Sequence, residues 1–162
     1  MIRTGMGVDS HRFAAGRPLI LGGIDIPHEE GLAGHSDADV LTHAVIDALL
    51  GAAGMGDIGQ HFPDTDPSFK DADSLELLRT VMVFLEQLDF RVLHVDMTVM
   101  MERPKLSPYR ETIRASLADA IGVDSSHVNV KATTGEGMGF VGRGEGVAAM
   151  AIATVERVGA AT

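Results

Sequence analysis

Residues 2 to 13 alternate, with Ile2, Thr4, Met6 and Val8 on one side and Arg3, Gly5, Gly7, Asp9 and His11 on the other, so a strand with one polar face is predicted. Pro18-Leu19-Ile20-Leu21, Gly22-Gly23 and Ile24-Asp25-Ile26 read as a hairpin. From Ser36 the period changes. Val40, Leu41, Ala44, Val45, Ala48 and Leu49 recur at helical spacing, with Ser36 as the cap and Asp39 three residues on, which predicts a helix running toward Gly54. Residues 56 to 70 follow neither period and read as a long loop. A second helix starts at Asp73, with Glu76 completing a capping box and Leu75, Leu78, Met82, Leu85 and Leu88 as its buried stripe.

Leu93, Val95, Met97, Val99 and Met101 then alternate as a strand, and Ser107-Pro108 caps and opens a third helix that ends at Gly122. Val128, Val130 and Ala132 mark another strand, and after a glycine-rich loop Gly146 to Val158 forms the last. No repeat or linker divides the pattern. It predicts one α/β (α+β) domain over residues 1–162, a small mixed β-sheet with helices covering one face.

Composition narrows what such a domain does. The chain holds 13 Lys+Arg against 23 Asp+Glu, a formal net charge of −10, which argues against nucleic-acid and anionic-membrane partners. Zero cysteines exclude disulfides, thiolate metal sites and cysteine nucleophiles. No apolar run reaches the ~20 residues of a membrane helix, and the N-terminus lacks a signal core, so a cytoplasmic location is expected. The charge is also uneven. Between Arg17 and Lys70 stand nine acids (Asp25, Glu29, Glu30, Asp37, Asp39, Asp47, Asp57, Asp64 and Asp66) with no Lys or Arg, interleaved with His28, His35, His43 and His61. A solvated acidic face has this composition, and so does a divalent-cation site.

Asp9 and His11, two apart on a strand, share a face. His43 lies on the first long helix with Asp39 and Asp47 each four residues away, so either carboxylate is placed to orient its ring. Two ligands from a strand and one from a facing helix make a three-ligand site with an open position, although each pattern alone also fits a surface ion pair. His35-Ser36 before the helix reads both as a cap and as a phosphate site at a helix N-terminus. Gly137, Gly139 and Gly142 spell G-x-G-x-x-G, but the residues beyond read as a strand, which rules out the dinucleotide fingerprint. Thr133, Thr134, Glu136 and Arg143 in the same stretch are phosphate-directed chemistry.

Together Gly7-Val8-Asp9-Ser10-His11, His35-Ser36-Asp37-Ala38-Asp39-Val40 with His43, the run from Gly56 to Pro67, Lys131-Ala132-Thr133-Thr134 and Gly142-Arg143-Gly144-Glu145-Gly146 resemble the 2-C-methyl-D-erythritol 2,4-cyclodiphosphate synthases, over about residues 5 to 156. The resemblance implies a homotrimer with sheets facing the three-fold axis and active sites between subunits. It implies conversion of 4-diphosphocytidyl-2-C-methyl-D-erythritol 2-phosphate to the cyclic diphosphate and CMP, in the non-mevalonate isoprenoid pathway. Asp9, His11 and His43 would hold Zn²⁺, and Glu136 would hold Mg²⁺ or Mn²⁺ with the substrate diphosphate. His35, Ser36, Asp57, Ile58 and Gly59, with a mobile lid of Phe62, Pro63, Asp64, Thr65 and Asp66, would hold the methylerythritol phosphate, beside Asp9 and His11. Met101, Pro104, Lys105, Leu106, Ser107, Thr133, Thr134 and Gly135 would surround the cytidine and its phosphates on the neighbouring subunit. His35 and Thr134 would stabilise the transition state, and Phe140 and Arg143 would line an axial cavity suited to an isoprenoid diphosphate. The chain departs from the family pattern at Val8, Ala38, Gly135 and Gly137, with Ala38 read as a mild change inside the helix start.

Two other readings use the same residues. A metal phosphohydrolase would activate water at Asp9, His11 and His43, and a non-enzymatic trimer would merely bind isoprenoid diphosphates.

Overall fold

A computed structural model describes residues 1–159. Its centre is helix α1 (Val40–Ala53), apolar on most sides apart from Thr42 and the stripe of His43 and Asp47, as a helix largely surrounded by protein has to be. Val40, Leu41, Ala44, Val45, Ile46, Ala48, Leu49 and Leu50 are fully buried. The helix lies on strands β1 (Ile2–Ala15) and β7 (Gly146–Arg157), which present only small residues to it: Gly5 and Gly7 on β1, paired across the ladder with Ala153 and Ala151 on β7. Small side chains let the helix sit close to the sheet. Farther along the same face of β1 come Asp9 and His11, so the strand's polar end meets the N-terminal turns of α1.

The main sheet has the order β4-β1-β7-β5-β6, with β4 at Glu30–Leu32, β5 at Phe90–Met100 and β6 at Val128–Thr133. β1 pairs antiparallel with β4 and β7, and β7 with β5, whereas β5 and β6 are parallel and are joined through α4 (Arg110–Ile121). The sheet is therefore mixed. β2 (Leu19–Leu21) and β3 (Ile24–Ile26) form a separate hairpin whose Gly22 and Gly23 turn at φ 58° and 74°, conformations that the tight turn demands and glycine supplies. Helix α3 (Ser74–Gln87) packs between α1 and α4.

Helices cover one face only. On the other, Met6 and Val8 of β1 and Met150 and Ile152 of β7 stand exposed side by side, an apolar patch in the middle of the sheet. Among the described residues no helix is long and apolar enough to cross a membrane.

Several local expectations are corrected. The cap of α1 is Asp39, whose carboxylate accepts from Thr42 N, and not Ser36. Ala38 precedes the helix rather than starting it, at φ 57°, so it occupies the left-handed region that favours glycine. The long loop contains α2 (Ile58–His61), capped by Asp57, and a 3-10 turn at Pro67–Phe69 capped by Asp66. Asp73 caps α3 through Leu75 N, but Glu76 turns to Arg79 and leaves the capping box half made. Leu88 is exposed, and Leu77 and Val81 fill the buried stripe instead. The third helix begins as a 3-10 turn at Ser107–Tyr109 with no side-chain cap. A one-turn helix α5 (Gly139–Gly142) interrupts the glycine-rich loop, which then enters the strand β7.

Candidate metal and phosphate site

Where β1 passes the first turns of α1, three side chains converge. Asp9 Oδ2 lies 2.9 Å from His11 Nε2 and 3.0 Å from His43 Nδ1, and the two ring nitrogens are 3.3 Å apart. One ligand atom from each residue falls within a 4.8 Å set, and this is the only such group of three among the described residues. His11 Nδ1 lies 2.8 Å from the Ala33 carbonyl, a partner that can only accept, so Nδ1 carries a proton and Nε2 is the nitrogen left to share a proton with Asp9 or to face a cation. Two imidazole nitrogens and a carboxylate oxygen, with no fourth His, Asp or Glu in the group among the described residues, fit a borderline divalent cation that keeps an open position.

Burial disfavours the charged form of Asp9, but hydrogen bonds and charge from His11 and His43 outweigh it and hold the carboxyl well below the usual range. Burial likewise works against the His11 imidazolium. The Asp9 hydrogen bond and charge prevail, with help from the Ala33 carbonyl, and raise its pKa. Without a cation, the pair shares protons that a cation would displace.

The expected orienting carboxylates lie elsewhere. Asp39 is fully buried and accepts from Gly22 N, Gly23 N and both Thr42 N and Oγ1, tying the hairpin to α1. Burial pushes its carboxyl up against the bonds from Thr42 and Gly23. Asp47 accepts from Ile58 N at 2.7 Å and positions α2. Ser74 of α3 and Ser36 reach His43 Nε2 instead, at 2.9 and 3.2 Å. Asp37, Ser74 and Arg17 are not among the candidate site residues that the sequence points to. Arg17 holds the carbonyls of Gly34 and Ser36 from the β1–β2 turn.

His11 and His43 open into a cavity of about 370 Å³ that His35, Ser36, Ile58, Gly59, Phe62 and Asp64 also line. Asp57, Pro63, Thr65 and Asp66 do not line it, and the carboxylates of Asp57 and Asp66 cap Gln60 N and Ser68 N. His35 Nε2 lies 3.1 Å from the Asp66 carbonyl, and backbone bonds from Asp71 N to His35 O and from Asp37 N to Ala72 O fasten the two cavity walls together. A second cavity, about 180 Å³, is lined by Met101, Pro104, Lys105, Leu106, Ser107, Thr133 and Thr134, with Glu102 and Arg110 beside them. Gly135 and Glu136 fall outside it, Gly135 N donating to Glu102 and Glu136 exposed at φ 54°. The two cavities share no residue, and β7 separates the strands that carry them. Phe140 and Arg143 line neither, and Arg143 Nε pairs with Glu145 at 2.8 Å.

A family model described as the YgbB family matches residues 2–156. The chain is 56% identical over 157 residues to the 2-C-methyl-D-erythritol 2,4-cyclodiphosphate synthase of Geobacillus kaustophilus, covering 97% of this chain and 99% of that one. A structure of 2C-methyl-D-erythritol-2,4-cyclodiphosphate synthase in its CDP-bound form superposes with a TM-score of 0.87 at 38% identity, over 95% of this chain and 100% of the other. The bifunctional IspDF from Campylobacter jejuni superposes with a TM-score of 0.94 at 43% identity, over 97% of this chain but 42% of that longer one.

Proposed function

Because the chain belongs to the YgbB family and has the cyclodiphosphate synthase activity of the non-mevalonate isoprenoid route, we propose that it turns 4-diphosphocytidyl-2-C-methyl-D-erythritol 2-phosphate into the cyclic diphosphate and CMP, as a phosphorus–oxygen lyase. The observation that carries the assignment of residues is the convergence of Asp9 with His11 and His43, the two histidines lining the 370 Å³ cavity and Asp9 lying behind them.

The substrate's 2-phosphate oxygen attacks the β-phosphorus in line, the bond to the α-phosphate oxygen breaks, and CMP leaves with that oxygen. No protein nucleophile is needed, so catalysis rests on positioning and charge. Asp9, His11 and His43 would hold Zn²⁺, and Glu136 would hold Mg²⁺ or Mn²⁺ with the substrate diphosphate; such cations would supply positive charge to offset that of the diphosphate. His35, fastened to Asp66, and Ser36, at the mouth of α1, face the methylerythritol phosphate. Thr134 and Lys105, on the second cavity, face the cytidine phosphates, with His35 and Thr134 donating to the transition state.

A homotrimer completes this arrangement. The exposed Met6, Val8, Met150 and Ile152 suit a buried interface, and the two cavities, disjoint in one chain, suit halves of a site joined between neighbours. Phe140 and Arg143 then face an axial cavity fit for an isoprenoid diphosphate, and the enzyme works in the cytoplasm.

Incubation of zinc- and magnesium-loaded protein with the diphosphocytidyl substrate in ¹⁸O-water tests the assignment. CMP and a cyclic product without solvent oxygen are expected. A linear bisphosphate carrying ¹⁸O would instead establish the hydrolase.

A further inference from the structure

His43 is held from the side opposite Asp9 and His11. Its Nε2 lies 2.9 Å from Ser74 Oγ, and that hydroxyl donates to Asp37 Oδ1. Asp37 is itself fixed, since Oδ2 accepts from Ser74 N at 2.9 Å and Oδ1 from Asp39 N at 3.1 Å. Ser74 is fully buried at the first turn of α3, yet Asp73 caps that helix. The Ser74 hydroxyl is therefore free of any capping duty and spans α3, α1 and the segment before α1.

The chain of bonds has a direction. A carboxylate only accepts, so the single hydroxyl hydrogen of Ser74 goes to Asp37, and the serine oxygen can only accept from His43. That fixes a proton on Nε2 and, once a cation displaces the proton shared with Asp9, leaves the lone pair on Nδ1, the atom aimed at Asp9 and His11. Ser36 Oγ, 3.2 Å from Nε2, is a weaker second acceptor.

We propose that Ser74 and Asp37 are positioning residues for the cation site: the Asp37–Ser74–His43 chain sets the tautomer and the aim of the histidine. The proposal rests on the metal reading given above. Partners of this kind alter metal affinity by roughly 10–100-fold when removed. Asp37→Ala acts by a second route, because it removes the acceptor of the Ser74 hydroxyl, whose hydrogen is then free to turn toward Nε2, which moves the imidazole proton to Nδ1 and blocks the ligand atom.

The test measures zinc affinity of the wild-type chain, Ser74→Ala and Asp37→Ala by competition with a chromogenic chelator. Long-range ¹H–¹⁵N spectra of the loaded proteins and melting of the metal-free ones accompany it. Expected are a roughly 10–100-fold weaker affinity in both variants and a His43 Nε2–H resonance that is sharp in the wild type and lost in Ser74→Ala. Variants that bind zinc as the wild type does, even with lowered melting temperatures, would overturn the proposal, since a serine needed only for folding leaves affinity unchanged. A wild-type chain that takes up no zinc overturns the metal reading itself.

Discussion

Gly7 of β1 lies against Ala44 of α1 so closely that a side chain at Gly7 would run into the Ala44 carbonyl oxygen, with Ala48 N only 2.7 Å away. Both obstacles are backbone, so nothing flexible can yield. Gly7→Ala is expected to push α1 off the sheet and to cost about 3 kcal/mol or more, at the upper end of overpacking effects. Asp9 lies two residues along the strand and His43 precedes Ala44, so zinc affinity falls with stability. Denaturant unfolding and metal titration check both, and a variant of native stability would show that the helix has room to move.

His43→Ala removes one of three converging donors without touching the core beneath it. Retention of zinc and CMP release are both expected to drop, the latter by about 10³-fold, the scale of several kcal/mol of lost charge stabilisation. The fold and assembly survive. Metal analysis beside a coupled CMP assay decides it, and full activity in metal-free variant protein would refute the ligand assignment.

Protons and cation compete at the same atoms. The raised pKa of His11 stabilises metal-free protein below the unfolded value of about 6.5, and that contribution disappears as pH climbs through the higher folded value. The lowered pKa of Asp9 acts above its unfolded value of about 4 and is lost only in stronger acid. Metal-free protein accordingly loses stability from about pH 6.5 upward, whereas zinc binds better there. The gap in melting temperature between loaded and metal-free forms is expected to widen between pH 6 and 8.5. Calorimetric scans across that range test it, and a constant gap would contradict the shared-proton picture.

Ile152→Asp places a charge in the exposed apolar patch beside Met6. It leaves the chain's own core intact. The expected outcome is a particle with the mass of one chain and activity lowered by about 10²-fold or more, because an interfacial site is then incomplete. Light scattering with a CMP assay distinguishes this from an active single chain, which would remove the argument for a shared site.

Asp39→Ala leaves the amides of Gly22, Gly23 and Thr42 without their buried acceptor. Each such group costs roughly 1–3 kcal/mol, so the variant is expected to lose several kcal/mol in total. Folded variant protein retains its zinc affinity, as Asp39 meets His43 only through its backbone carbonyl, which the substitution keeps. A weakened zinc site at full stability would restore the orienting role that its spacing suggested.

The sheet, the main helices and the three converging donors were legible because each depends on a period or a spacing that local sequence carries. Gly7, Asp9 and His11 alternate along one strand, and His43 falls on an apolar helix that has one place to pack. What spacing could not reveal was the partner of each carboxylate. Asp39 and Asp47 sit one helical turn from His43, yet their acceptor oxygens serve amides of the hairpin and of α2, segments remote in sequence. Ser74 stayed hidden for a related reason. Beside an obvious cap at Asp73 it reads as an ordinary first-turn residue, and only the packing of α3 on α1 brings it to the histidine. Ala38 was misread because its left-handed φ comes from the turn into α1, which no hydrophobic period reports.

Five of the nine acids between Arg17 and Lys70, namely Asp37, Asp39, Asp47, Asp57 and Asp66, accept backbone N–H bonds. Each negative charge thus faces the positive end of peptide dipoles, and part of its field is cancelled at the source. A strongly acidic surface in formal charge is correspondingly weaker in electrostatic potential along the wall that the phosphates approach. The backbone amides that these carboxylates bind partly offset their repulsion of an anionic ligand, so a polyanion can enter a chain of net charge −10 without a matching excess of lysine or arginine.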